Sequence, residues 1–178
     1  FPAEALEEIR QERMISVDEE TALPPCPVEI VLGLEGRLFV ILPTGVKTAL
    51  PFACNAPFVQ DPARVKIKDP ETSPTNRWLL GRAGGLAAAA MLRWLSRSSV
   101  SVEERCEAYQ LFPDVDREDS SLEGTCAALC EEAFDNAIKT ADFLLTETDR
   151  LKPWGSCTTV PHELLDVWTP DQVAACFD

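Results

Sequence analysis

Histidine and tyrosine each occur once in these 178 residues, and methionine twice. A single His162 leaves no histidine pair for a metal centre. The seven cysteines (26, 54, 106, 126, 130, 157 and 176) contain no Cys-x-x-Cys spacing. Zinc sites and disulfide frameworks usually show closer, paired spacing, so seven reduced thiols behaving as small hydrophobes are expected, without a structural metal. No apolar run approaches the ~20 residues that span a bilayer. The start, FPAEALEEIRQER, has neither a basic region nor an apolar core, so it reads as neither signal nor transit peptide. A cytoplasmic chain without membrane contact is expected. The sequence also opens without Met and stops abruptly on CFD, which suggests a piece of a longer protein. No period repeats along it.

What is present is average for a globular chain: 46 % hydrophobic and 26 % charged residues, which argues against wholesale disorder. The formal charge is −14, which disfavours binding to nucleic acid. That charge is unevenly placed. Residues 1–60 hold 9 acidic and 4 basic residues, residues 61–105 hold 5 and 8, and residues 106–178 hold 16 and 4. A basic island therefore sits between two acidic flanks. It reads either as a solvated face or as a local anion site.

Hydrophobic patterning predicts an α/β fold: a small β-sheet packed on a long helix, then further helices and a short α/β tail. Residues 1–140 are expected to form the main unit and 141–178 the tail. A helix is expected from Pro2 to Arg13, and an acidic loop over Val17–Pro27. VEIVLGL and RLFVIL read as a hairpin about Glu35-Gly36. A turn follows at Pro43–Gly45, then a strand over Ala49–Phe52. Cys54–Ser73 reads as a long irregular stretch. A long helix is predicted over Asn76–Ser96 with Thr75 as N-cap. Its AGGLAAAAM centre would let another element approach closely, and it lacks the dinucleotide fingerprint. Further helices are expected at Ser101–Leu111, opened by a capping box, and at Leu122–Lys139. Pro113–Ser120 reads as an acidic loop. The tail should hold a strand at Phe143–Thr146 and a turn at Thr148-Asp149. Short helices at Pro161–Val167 and Pro170–Phe177 complete it, the last capped by Thr169.

The segment LPTGVKTALPFACNAPFVQDPARVKIKDPETSPTNRWLLGRAG resembles the stretch after the ATP-binding module in sacsin-like proteins. These are relatives of the ninety-kilodalton heat-shock chaperones, with GHKL-type ATPase modules. The residues that carry the resemblance are Leu42-Pro43, Gly45, Leu50-Pro51, Asn55, Phe58, Arg64 and Asn76 to Leu79. The order of Asn and Trp differs from the family phrase. ALEEIRQER and the final LLTETDRLKPWGSC to CF stretch also resemble flanking family segments. The ATPase fold itself needs a helix with a catalytic Glu and a metal-binding Asn, then an Asp-x-Gly-x-Gly loop, and neither pattern occurs here. The resemblance thus implies a non-catalytic middle, transducer-type domain. ATP and Mg would belong to an adjacent ATP-binding domain of the same polypeptide, with a protein client as a further partner. Protein quality control and bacterial defence are both compatible purposes.

Within that resemblance Arg64 is the expected γ-phosphate contact, because a guanidinium can stabilise developing phosphate charge bidentately. Asn55, Lys66, Lys68, Arg77 and Arg82 are its expected supporting anion site. Arg64, Lys66 and Lys68 alternate and would share one face of an extended chain. Arg77 and Arg82 lie near the positive end of the long helix, where a phosphate or carboxylate would relieve the crowding. The plainer alternative pairs Arg64 with Asp61 and leaves the lysines in solvent.

Two further readings stand beside this one. The acidic C-terminal part, with Trp154 and Trp168, suits a protein-interaction module. Cys157 or Cys54 with His162 would suit a small cysteine hydrolase, although Cys157 and His162 are only five apart and such pairs are normally distant in sequence.

Overall fold

The computed structural model describes residues 2–12, 26–146, 149–157 and 160–176. The expected loop over Val17–Pro27 lies largely outside these residues, as do Arg13, Thr148 and Phe177. No helix among the described residues is long and apolar enough to cross a membrane.

The architecture is mixed α/β, with a four-stranded sheet packed on a long helix and further helices after it. Helix α1 (Ala3–Glu12) comes first and buries Ala5 and Ile9. Four strands follow: β1 (Glu29–Leu32), β2 (Arg37–Val40), β3 (Leu42–Lys47) and β4 (Phe52–Asn55). Helix α2 (Pro74–Leu95) is 22 residues long and α4 (Leu122–Ile138) is 17. Between them lie α3 (Val102–Cys106) and a 3₁₀ turn, Glu107–Leu111. Two-residue strands β5 (Leu144–Leu145) and β6 (Leu151–Lys152) pair antiparallel. Short helices α5 (His162–Leu165) and α6 (Pro170–Ala174) follow.

The sheet order is β1-β4-β2-β3, which corrects three expectations. First, β1 and β2 are not a hairpin. Both flank β4, β1 antiparallel and β2 parallel. The Gly33–Gly36 link crosses the end of the sheet instead. Gly36 lies so close to Thr48 and Leu50 that a Cβ would stand 2.6 Å from both carbonyl oxygens. Second, Pro43–Gly45 is strand, and the β2–β3 turn falls on Ile41, which is left-handed at φ 66°. The Thr44 hydroxyl donates to the Leu38 carbonyl at 2.8 Å, and the Gly45 N–H to the Val65 carbonyl at 2.7 Å. These bonds hold a bulge that local turn chemistry hides. Third, the last strand starts at Phe52, later than expected. Phe52, Ala53 and Cys54 are all buried there, between β1 and β2.

The core is one cluster. Leu79, Leu80, Ala83, Ala87, Met91 and Leu95 of α2 meet Leu38, Val46, Phe52 and Cys54 of the sheet. Burying each large aliphatic side chain contributes ~1.5–3 kcal/mol. Small residues on α2 admit α4 closely: a Cβ on Gly84 would lie 2.0 Å from the Cys130 carbonyl oxygen. The β5–β6 hairpin docks on this same core. The Tyr109 hydroxyl donates to the Phe143 carbonyl at 2.7 Å and accepts from the Leu145 N–H at 2.9 Å. Buried Arg105 donates to the Leu95 carbonyl at 2.6 Å and pairs with Asp149, itself left-handed at φ 57°. Helix α6 begins as expected, with Thr169 and Gln172 forming a reciprocal capping box.

Candidate functional site: the Arg64 loop

Most of the stretch read as irregular is held by hydrogen bonds. It leaves β4 at Asn55, turns out over Gln60–Ile67 and returns to α2. Gln60 and Ile67 form an isolated antiparallel bridge. Asp61 organises the tip: its Oδ1 accepts from the N–H groups of Val65 and Lys66 at 2.9 and 3.0 Å. Its carbonyl accepts the Arg64 N–H at 2.9 Å. Asp61 therefore braces the backbone around Arg64 and makes no ion pair with its guanidinium.

Asn76 anchors the base of the loop. This side chain is fully buried. Its Oδ1 accepts from the Val59 N–H at 2.8 Å, and its Nδ2 donates to the carbonyls of Val59 and Lys68 at 2.8 and 2.7 Å. Both limbs of the loop are thus tied to the first turn of α2. That helix is capped by Ser73 rather than Thr75, with Pro74 at its first position. Ser73 Oγ accepts the Asn76 N–H at 3.2 Å. Thr75 turns away and donates its hydroxyl to the Ala5 carbonyl at 3.1 Å.

Arg64 stands at the tip, exposed and left-handed at φ 56°. That backbone costs a non-glycine residue ~1–2 kcal/mol. Its guanidinium has no hydrogen bond or ion pair among the described residues. It borders a cavity of about 500 Å³ lined by Glu12, Phe58, Gln60, Asp61 and Pro62.

The other expected site residues do not gather around it. Lys66 pairs with Glu123 of α4 at 3.1 Å, and Lys68 with Glu8 of α1 at 2.7 Å. The face expected for 64, 66 and 68 breaks up because each lysine finds a carboxylate on a different helix. Arg77 is exposed and its Nε donates to the Pro70 carbonyl at 3.3 Å. Arg82 is exposed with no polar partner among the described residues. Asn55 belongs to the sheet: its Oδ1 accepts the Ile41 N–H at 3.0 Å, and its Nδ2 donates to Glu29 at 2.9 Å. It steadies the strained turn at Ile41.

The carboxylate at the start of α2 is Glu8. Its Oε2 accepts from the Thr75 N–H at 3.0 Å and from the Ser73 hydroxyl at 2.8 Å. Burial raises its pKa, but these bonds and the Lys68 ammonium outweigh that effect and hold it below the ordinary carboxylate value. Glu8 and Asn76 are not among the expected site residues, although Asn76 belongs to the phrase that carries the resemblance. The only available signal was Ser73-Pro74, a cap followed by a helix-starting proline.

None of the seven cysteines is joined in a disulfide. Burial pushes the Cys54 and Cys126 thiols up to about 12, and raises Cys130 well above its ordinary value. No group of three or more metal-ligating side chains occurs among the described residues. No protein-family model matches this chain, and no curated protein or solved structure matches it either.

Proposed function

We propose that this chain is a non-catalytic coupling domain of a sacsin-like, chaperone-type ATPase. In this reading Arg64 reaches the γ-phosphate of ATP, held with Mg by a neighbouring domain in the cytoplasm. The observation that supports it is the state of Arg64: an exposed guanidinium without a partner, on a loop whose backbone Asp61 and Asn76 fix. A cation held ready by rigid neighbours needs little reorganisation when charge develops on a phosphate. Lys66 and Lys68 are already neutralised by Glu123 and Glu8, so they contribute less.

The test is ATP turnover by a polypeptide carrying this chain and its ATP-binding module. Arg64→Ala should lower turnover about 100-fold or more, with little change in nucleotide affinity. Arg64→Gly should do the same while relieving the left-handed backbone, so a folding defect cannot account for the loss. Unchanged turnover in both variants would remove the assignment.

A protein-interaction role has one observation in its favour. Leu164, Val167 and Trp168 are exposed beside acidic residues in the α5–α6 tail. The hydrolase reading loses Cys54, because a thiol held at about 12 is not a nucleophile at neutral pH. Its other form pairs Cys157 with an imidazole, that of His162, outside the described side chains.

A further inference from the structure

A second concave patch lies at the end of the sheet and shares no residue with the Arg64 cavity. Leu34, Glu35, Arg37, Phe39, Lys47 and Thr48 line a groove of about 440 Å³. Arg37 and Lys47 are direct cross-strand partners on β2 and β3. Like charges placed opposite each other destabilise a sheet unless something neutralises them. Neither side chain has a hydrogen bond or ion pair among the described residues, and Glu35, which borders the same groove, pairs with neither. Beside these cations Leu34 is 51 % exposed and Phe39 half-buried. The wall is preformed. The Thr48 hydroxyl donates to the Gly36 carbonyl at 3.1 Å and accepts from the Leu50 N–H at 3.4 Å. A ligand therefore meets a groove that needs little ordering.

We propose that this groove docks an acidic segment of a partner protein, whose carboxylates pair with Arg37 and Lys47 while an apolar side chain lies on Leu34 and Phe39. Charge complementarity selects this occupant. The whole chain carries −14, and the groove offers two cations rather than the track of many that a polyanion such as nucleic acid needs. Two cations beside an apolar seat fit a short segment with carboxylates around one apolar residue. Repulsion from more distant charges is screened within roughly 8–10 Å at ordinary ionic strength, so the local pair decides.

The probe is a fluorescein-labelled peptide with two aspartates flanking a phenylalanine between Gly-Ser arms. It is titrated against the 178-residue chain by fluorescence anisotropy. The expected result is saturable binding that weakens about fivefold or more when Arg37→Gln and Lys47→Gln are combined. Leu34→Ser should weaken it as well, and a peptide with lysines for the aspartates should not bind. Arg93→Gln with Arg97→Gln, exposed cations at the C-terminal end of α2, should leave binding unchanged. Lys47→Gln alone replaces the double variant if that variant unfolds. Absence of saturation up to about 1 mM peptide, equal binding by the groove variants, or equal loss in the α2 variant would each overturn the proposal. A sedimentation measurement showing a dimer that the groove substitutions dissolve would assign the face to a second copy, and would overturn it too.

Discussion

Glu8 on α1 accepts the backbone N–H of Thr75, in the first turn of α2, at 3.0 Å. The same oxygen takes the Ser73 hydroxyl, and the other takes Lys68. One carboxylate thus ties the first helix to the start of the longest one, where unsatisfied N–H groups and the macrodipole favour negative charge. Glu8→Gln should destabilise the chain by about 1.5–3 kcal/mol, the range for hydrogen bonds to a charged group. The pH dependence has a definite sign. The folded pKa of Glu8 lies below the unfolded value, so its contribution is complete above the unfolded pKa. It fades as pH falls through the folded one. Urea unfolding at pH 7 and at pH 3 should therefore show a smaller difference between Glu8→Gln and the unaltered chain at the lower pH.

The crossing of α2 and α4 makes a second prediction. A Cβ on Gly84 would meet the Cys130 carbonyl oxygen, a backbone atom that cannot swing aside. Gly84→Ala should cost at least 1–3 kcal/mol, as overpacking does. Gly81 and Gly85, on the same helix, have open space at the Cβ position. Gly81→Ala and Gly85→Ala should gain roughly 0.5–1 kcal/mol from helix propensity. Thermal unfolding of the three variants checks the opposite signs, and a loss at Gly85→Ala equal to that at Gly84→Ala would contradict this account of the crossing.

The contrast among these glycines shows what local pattern can and cannot carry. The periodicity of residues 76–96 and 122–139 marks two helices, because burial repeats within each segment. The small residues between them permit a close crossing but do not say that Gly84, rather than Gly85, is the contact. Strand order is less legible still. VEIVLGL and RLFVIL look like neighbours, yet β4 lies between them, a long-range pairing that no local turn reports. At the Arg64 loop the basic residue types were visible. Their partners Glu8, Glu123 and Pro70 come from 57 to 60 residues away for the two lysines and from 7 for Arg77. Sequence spacing therefore placed Lys66, Lys68 and Arg64 on one face that tertiary ion pairing divides.

Thiol reactivity should divide the cysteines sharply. Cys54, Cys126 and Cys130 are buried, with thiols raised by desolvation, whereas Cys106 and Cys176 are exposed. The thiolate is the reacting species. At pH 8 a maleimide should label Cys106 and Cys176 within minutes, and the buried three only on unfolding. Mass mapping of partly labelled protein reads this directly. Early label on Cys54 or Cys130 would mean that the sheet–helix core opens far more readily than its packing implies.

Asn76 is the residue on which the Arg64 loop most depends. Its amide completes three hydrogen bonds in a fully buried position, two to Val59 and one to Lys68. Asn76→Ala would leave the Val59 N–H and the Lys68 carbonyl unpaired, each costing about 1–3 kcal/mol, while the Val59 carbonyl keeps the Lys68 N–H at 2.8 Å. Local rearrangement reduces that total, so a loss of roughly 2–4 kcal/mol is expected. Asn76→Asp keeps the acceptor for the Val59 N–H but removes the donor to both carbonyls, and its charge would be buried, so it should be no better than alanine. Hydrogen exchange separates a local effect from a global one. The Val59 and Lys68 amides should lose protection more than those of the α2–α4 core, because the clamp acts at the base of the loop. Uniform loss across the chain would instead make Asn76 a general core residue. Retained protection at Val59 would mean that the Gln60–Ile67 bridge and Asp61 hold the loop without it.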